Sequence, residues 1–448
     1  MGKFARYSII STATVLLLFT GCGDAGYEGE NRALTFNDVR IVSISPEQSI
    51  GLDDASTNQN ILASSINAGV SPEDPNYKIA FGIQSYKIIY TTTNEDGSDV
   101  NASGLITIPI PTDEFLAGLE AVGKTYSMSI LSDQHGTIFK DEESPSMSLA
   151  GFPEFLAAIQ RREAPKSTPI PFLMSAIGGF ITVQPDYIGY GASKGSHPYL
   201  LEKSSASATV DLIKATVKFA SDNQLPFNGQ VFLSGYSEGG YVTLAAAKEI
   251  EANHPHINLM GIAPMAGPYD LNATGMGVLS QPTMARPDFI GGIINSYASV
   301  YNFNLTDILN EPYAGILPTL YDSEHSSADI QVKLDENLTK FFEPTYRDDF
   351  LTNPNNPLKQ AFIENTPLDW SPKTKVKLLH CTNDDVISSD LSRIAFARFT
   401  ANGSTSVELD LINEIPDGTL PSVHVACGTK TYPKALEWFS KIRTGEIK

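Results

Sequence analysis

The segment that most limits how this chain can fold spans residues 230–247. Gln230-Val231-Phe232-Leu233-Ser234 is a short apolar run, and Tyr241-Val242-Thr243-Leu244-Ala245-Ala246-Ala247 opens an Ala-rich helical stretch that extends to about residue 251. Between them stands Gly235-Tyr236-Ser237-Glu238-Gly239-Gly240, which contains Gly-x-Ser-x-Gly. Passing from a buried strand into a helix within so few residues needs a sharp turn, with strained backbone at its apex. Gly235 and Gly239 remove side chains that would block that turn, and the Ser237 hydroxyl then projects above the sheet. The motif alone is short enough to arise by chance. The strand before it and the helix after it make Ser237 a candidate nucleophile.

The rest of the chain supplies the sheet that such a turn requires. Residues 85–92 and 102–109 alternate around Asp96-Gly97, the signature of a hairpin with a long loop. Strand-like runs follow at 126–131, 179–184, 259–264 and 376–380, and 206–223 has helical spacing. Strands alternating with helices predict an α/β architecture, a mostly parallel sheet with helices on both faces. Between the last two strands about 100 residues lack clear strand signals and carry several aromatics, among them Phe289, Tyr297, Phe341 and Phe350. Residues 272–370 therefore read as a helical cap insertion that divides the core into 41–271 and 371–448.

A serine hydroxyl is a weak nucleophile: it needs a base, and the base needs an acid to orient it. In folds with this turn the acid and then the histidine follow the serine. The run 376–380 ends in His380-Cys381-Thr382-Asn383-Asp384-Asp385, and a carboxylate just past a strand end is where the acid is expected. Only His424 lies downstream of it among the seven histidines. Asp384 and His424 are thus the candidate acid and base, and Asp385 is the competing acid, otherwise a solvated or capping carboxylate. The developing oxyanion needs two donors. One is the backbone N–H of Glu238. The other is that of Thr137, in the loop His135-Gly136-Thr137 after the third strand. His135 precedes the serine and is expected to be fixed by local hydrogen bonds.

The ordered set His135-Gly136-Thr137, Pro185-Asp186-Tyr187-Ile188-Gly189-Tyr190-Gly191, Gly235 to Gly240, His380 with Asp384, and His424 resembles the α/β-hydrolase superfamily. It is most similar to the secretory lipases typified by fungal lipase A and their bacterial relatives, over roughly residues 80–445. The resemblance implies the α/β-hydrolase fold, ester hydrolysis through an acyl-enzyme, no cofactor or metal, and a cap over an acyl pocket. Apolar side chains of 272–370 are expected to line that pocket above Ser237. Two residues depart from the pattern: Cys381 replaces the usual Gly after His380, and Glu238 stands where Gln or Gly is common. The same fold also hosts capped peptidases, for which Glu311, Glu324 or Asp349 of the cap could anchor a peptide terminus. A non-catalytic surface-binding lipoprotein is a third reading, against which the complete triad order stands.

The N-terminus indicates where the chain works. Lys3 and Arg6 precede an apolar run at 9–19 that is shorter than the roughly 20 residues of a spanning helix. Phe19-Thr20-Gly21-Cys22 resembles the lipobox of bacterial lipoproteins, so 1–21 reads as a signal peptide, Cys22 as the lipidated residue and 22–40 as a tether. The expected setting is the cell envelope, lipid-anchored or secreted, with a small-molecule or lipid ester as substrate. A net charge of −20 lacks the basic footprint of nucleic-acid binding. With Cys22 lipidated, Cys381 and Cys427 remain, three residues from the candidate acid and base. An envelope location permits a disulfide between them, tying the two catalytic loops together.

Overall fold

A computed structural model of the chain describes residues 39–50, 81–147, 174–175, 178–413 and 422–447. The predicted signal peptide 1–21, Cys22 and the tether up to residue 38 lie outside the described residues. Among the described residues nine strands form one sheet: β1 (Ile41–Ile50), β2 (Phe81–Thr93), β3 (Asp99–Pro111), β4 (Met128–Gln134), β5 (Ile181–Pro185), β6 (Phe227–Tyr236), β7 (Asn258–Met265), β8 (Lys375–Cys381) and β9 (Val407–Ile412). Their order is β1-β2-β3-β5-β4-β6-β7-β8-β9. Pairing is antiparallel from β1 through β3 to β5 and parallel from β5 to β9. The β2–β3 hairpin turns at Asp96-Gly97, where Gly97 takes φ +86° and its N–H donates to the Asn94 carbonyl at 3.0 Å. Sequence patterning did not identify β1. It is an edge strand carrying Pro46, and its register on β2 slips on either side of Ser43–Pro46.

The strands show why both faces are covered. Val231 and Leu233 of β6 face one core while Phe232 faces the other, and Ile262/Ala263 of β7 and Leu378/Leu379 of β8 divide likewise. This is the period-2 alternation of a sheet buried on both sides. On the first face pack α2 (Glu202–Asp222), through Leu212 and Ile213, and α3 (Glu238–Asn253), through Leu244 and Ala247. α1 (Asp113–Ala121) is a short helix after β3, capped by Thr112. Between β7 and β8 lie α4 (Leu271–Leu279), α5 (Pro287–Tyr301) and α6 (Pro357–Glu364), with five more helices between α5 and α6 among the described residues. Their aromatics, Tyr297, Phe341, Phe342 and Phe350 included, form a third cluster that reaches down to Phe139, Tyr190 and Tyr199 beside the β4 end. α7 (Asp390–Ala401) follows β8 on the first face, and α8 (Val423–Arg443) covers the second with Tyr432, Leu436 and Phe439. Among the described residues no helix is long and apolar enough to cross a membrane.

Candidate active site

The apex of the turn between β6 and α3 is Ser237, at φ 60° and ψ −122°. A non-glycine residue held there stores strain that only a tightly packed surround maintains. The surround is glycine. A Cβ on Gly239 would stand 1.9 Å from the Gln134 carbonyl oxygen, and one on Gly235 would stand 2.3 Å from the Gly239 carbonyl oxygen. The Ser237 N–H donates to the Met265 carbonyl at 2.9 Å, which fixes the apex against β7.

Three side chains from distant parts of the sequence meet at this apex. The Ser237 hydroxyl lies 2.9 Å from His424 Nε2, and His424 Nδ1 lies 2.7 Å from Asp384 Oδ2. With Nδ1–H donating to the carboxylate, Nε2 is the acceptor for the serine proton. Asp384 sits just past β8, and its other oxygen accepts the N–H groups of Val386 at 3.0 Å and Ile387 at 2.8 Å. His380, wholly buried at the end of β8, turns Nε2 toward the Ile387 carbonyl at 3.0 Å and Asp384 Oδ2 at 3.4 Å. Both neighbours are acceptors, so this nitrogen carries the proton, and Nδ1 lies 2.7 Å from the Ser392 hydroxyl. Burial alone pushes the Asp384 carboxyl up, but hydrogen bonds from His380 and His424 outweigh it and hold it well below the usual carboxylate range. Asp385 faces elsewhere: it accepts the backbone N–H of Val423 at 3.2 Å and of His424 at 2.9 Å, which caps the start of α8.

The loop after β4 closes the other side of Ser237. A Cβ on Gly136 would lie 3.6 Å from the Ser237 Cβ. Tyrosines of the 187–199 segment hold that loop: Tyr187 OH donates to the His135 carbonyl at 2.9 Å, and Tyr190 OH to the Ile138 carbonyl at 2.6 Å. Thr137 Oγ1 and Tyr199 OH are 2.7 Å apart. Glu238 is the first residue of α3, so its N–H has no acceptor within the helix. Its carboxylate is buried and meets His197 Nε2 at 2.8 Å. His135 is stacked on Tyr187 and turns Nδ1 to the Gly136 carbonyl at 2.7 Å; burial holds its imidazole below the ordinary value, against the pull of Glu238. His197, in His197-Pro198-Tyr199-Leu200, is not among the candidate residues of the sequence, where the departure of Glu238 from the usual Gln or Gly beside the candidate nucleophile is the one signal of a partner.

Two supports lie behind the site. A disulfide joins Cys381 to Cys427, with Cα atoms 5.9 Å apart. Asp133 is fully buried at the end of β4, where Ser234 Oγ donates to it at 2.7 Å and Gln184 Nε2 at 2.8 Å. Burial pushes its carboxyl up to about 7, against these bonds and one from Tyr432. Inside the helical insertion a wholly apolar cavity of about 30 Å³ is lined by α4, α5 and α6 residues such as Leu271, Ile293 and Phe362. Neither Ser237 nor His424 lines it, so it is not the pocket expected above the nucleophile. Of the carboxylates considered as peptide anchors, Glu311 and Glu324 are exposed, and Asp349 accepts from Asn353 and Asn356. Among the described residues no group of three or more His, Cys, Asp or Glu is arranged to hold a metal ion.

A family model described as secretory lipase matches residues 172–447. In structure the chain is similar to the rice cell wall degrading esterase LipA of Xanthomonas oryzae, at 22% identity over 91% of this chain and 97% of that one, with a TM-score of 0.71. It is similar to a candidate hydrolase of Legionella pneumophila, at 21% identity over 91% and 99% of the two chains, with a TM-score of 0.73. Candida antarctica lipase A in its closed state gives 16% identity over 84% and 76% of the two chains and a TM-score of 0.57. At these identities the likeness is one of fold, an α/β-hydrolase fold. Comparison with curated proteins gave no match.

Proposed function

The chain belongs to the secretory lipase family and is a carboxylic-ester hydrolase; from that premise we propose that it works through a Ser237–His424–Asp384 triad and an acyl-enzyme intermediate. Ser237 Oγ attacks the ester carbonyl as His424 Nε2 takes its proton. The oxyanion is held by the backbone N–H groups of Glu238 and Thr137, and the positive end of α3 adds to that stabilisation. Collapse of the tetrahedral adduct expels the alcohol, which receives the proton from His424, and leaves the acyl group on Ser237. Water, deprotonated by the same imidazole, then attacks the acyl carbonyl and restores the serine. Asp384 fixes the tautomer of His424 and stabilises the imidazolium. The observation that carries this reading is the unbroken chain Ser237 Oγ–His424 Nε2 at 2.9 Å and His424 Nδ1–Asp384 Oδ2 at 2.7 Å, centred on a strained serine.

Export and anchoring complete the proposal. The family is a secretory one, and the 1–21 segment followed by Cys22 supports lipidation of Cys22 at the cell envelope. Residues 272–370 act as the cap over the site, since their aromatic cluster packs on Phe139 and Tyr199 next to the loop that carries Thr137. The test is Ser237→Ala with p-nitrophenyl esters of graded acyl length and a fluorophosphonate label. Labelling at Ser237 and a fall in kcat of several orders of magnitude, with the fold intact, are expected. Near-full ester hydrolysis by that variant would remove the triad assignment. Incorporation of labelled palmitate that vanishes in Cys22→Ala tests the anchor.

A further inference from the structure

The residue after the nucleophile is a glutamate whose side chain is only 1% exposed. On the reading above, its own backbone N–H faces the oxyanion. Covalent geometry keeps a glutamate carboxylate within about 6 Å of its own N–H. The oxyanion accepts from that N–H about 3 Å further on, and at a separation of up to about 9 Å and the effective dielectric of a protein site a bare carboxylate would oppose a unit oxyanion by about twentyfold in rate. A hydrolase with that residue needs something to cancel the charge.

His197 is in contact with it. Its Nε2 lies 2.8 Å from Glu238 Oε1, and its Nδ1 lies 2.8 Å from the Ile188 carbonyl oxygen. A carbonyl only accepts, so Nδ1 carries a proton. The short Nε2–Oε1 contact also needs a proton between its two atoms, because two lone pairs would repel. The second proton sits either on the imidazole, beside a carboxylate, or on the carboxyl, beside a neutral imidazole. In both arrangements the pair has no net charge. Aromatic neighbours hold the ring in place. It stacks on Tyr187, with centroids 5.6 Å apart and 16° between planes, and lies 4.9 Å from Tyr190. Those same two tyrosines hold the His135 and Ile138 carbonyls, and so the loop that carries Thr137 and sets Gly136 against Ser237.

We infer that His197 is a positioning residue of the hydrolysis: it neutralises the Glu238 carboxylate beside the oxyanion site and keeps both N–H donors aimed at one point. The inference rests on Ser237 being the nucleophile and on the Glu238 N–H holding the oxyanion. It gives the 197–199 segment a catalytic purpose and explains how an acidic residue is tolerated after the nucleophile.

The test is a cycle of His197→Phe, which keeps an aromatic ring for the tyrosine stack, against Glu238→Gln, which removes the charge. With a soluble p-nitrophenyl ester, His197→Phe is expected to lower kcat about 20-fold in the Glu238 background, with KM changed less than about threefold. In the Glu238→Gln background the same substitution should cost less than about fivefold. Ki for a trifluoromethyl ketone, which forms an anionic adduct on the serine, should rise with the kcat loss; loss of packing alone would not make Ki follow the charge at position 238. Equal losses in both backgrounds, or no loss in either, overturn the inference. If His197→Phe alone does not fold, the double variant decides: recovery of fold and activity supports the charge argument, and failure of the double variant overturns it. Fluorophosphonate labelling of the unaltered protein separates the two levels. Labelling at Ser237 together with an additive cycle sinks this inference alone, and absence of labelling sinks the triad beneath it.

Discussion

The disulfide offers the sharpest quantitative test of how the site is held together. Cys381 ends β8 three residues before Asp384, and Cys427 lies in the second turn of α8, three residues after His424. The bond closes a loop of 46 residues. The chain-entropy model gives about 4 kcal/mol for a loop of that length, from the unfolded states the bond removes. That is a large share of the 5–15 kcal/mol by which folded domains usually exceed their unfolded states. With an unfolding entropy of about 2.1 cal/mol/K per residue over roughly 400 residues, the loss lowers Tm by about 5 °C. Both cysteines are at most 1% exposed, so Cys381→Ala/Cys427→Ala is a cleaner perturbation than a reductant that cannot reach the bond.

The catalytic consequence should be smaller at room temperature than on warming. Without the bond, the His and Asp loops still meet through Asp384 on His424 and through Asp385 on the N–H groups of Val423 and His424. Ester hydrolysis at 25 °C should fall less than about tenfold, and activity should be lost on heating several degrees before the sheet unfolds. Paired measurements of kcat and far-UV circular dichroism against temperature give both readings. A Tm within about 1 °C of the parent, with activity and structure lost together, would refute both the stabilisation and the tethering.

Other expectations follow from the same geometry. Asp384→Asn should lower kcat about 10⁴-fold by allowing the wrong His424 tautomer, whereas Asp385→Asn should cost about 1 kcal/mol of stability and less than tenfold in kcat; steady-state kinetics and urea unfolding of the two variants would expose a misassigned acid if the order reversed. Asp133, raised to about 7 in the folded state, contributes stability that is fully present below pH 4 and lost as pH rises towards 7, a change of about 4 kcal/mol. Asp133→Asn should flatten the pH dependence of Tm over that window and exceed the parent above pH 7, and an unchanged slope would show that another group titrates there. Gly239→Ala should yield little folded protein, because its Cβ would stand 1.9 Å from the Gln134 carbonyl oxygen; soluble, active Gly239→Ala would contradict the packing of the turn.

The legible parts of the fold are those that repeat or that chemistry places in order. β6, the glycines around Ser237 and the hairpin at Asp96-Gly97 carry local signals, and the proposed order serine, acid, histidine is the one expected of a fold in which strand ends converge. The end of β4 shows where such signals fail. Patterning ended that strand at residue 131, yet it runs on through Ser132-Asp133-Gln134. Three polar residues look like a loop until β6 supplies Ser234 to Asp133 and α3 supplies Thr243 Oγ1 to Gln134 at 2.8 Å. α1 was missed for a different reason, since Thr112 with Asp113 and Glu114 is a start signal, but nine residues give too few turns of periodicity.

Adjacent carboxylates mark the limit of position alone. Asp384 and Asp385 both follow β8, and distance along the chain from Ser237 or His424 does not separate them. Their partners do. Asp384 is drawn inward because His380, at the last buried position of β8 but one, offers it an N–H, and two backbone N–H groups receive its second oxygen. A carboxylate with four donors is stable as an anion even when fully buried, and a stable anion is what an imidazolium requires beside it. Asp385, one residue on, points to the first N–H groups of α8 and sets the helix that presents His424. The two acids thus have complementary roles, one orienting the ring and one orienting the helix that carries it. Glu238 follows the same logic, because its meaning depended on a histidine 41 residues earlier in the chain. For buried charges the residue type states a need, and only the fold shows which neighbour meets it.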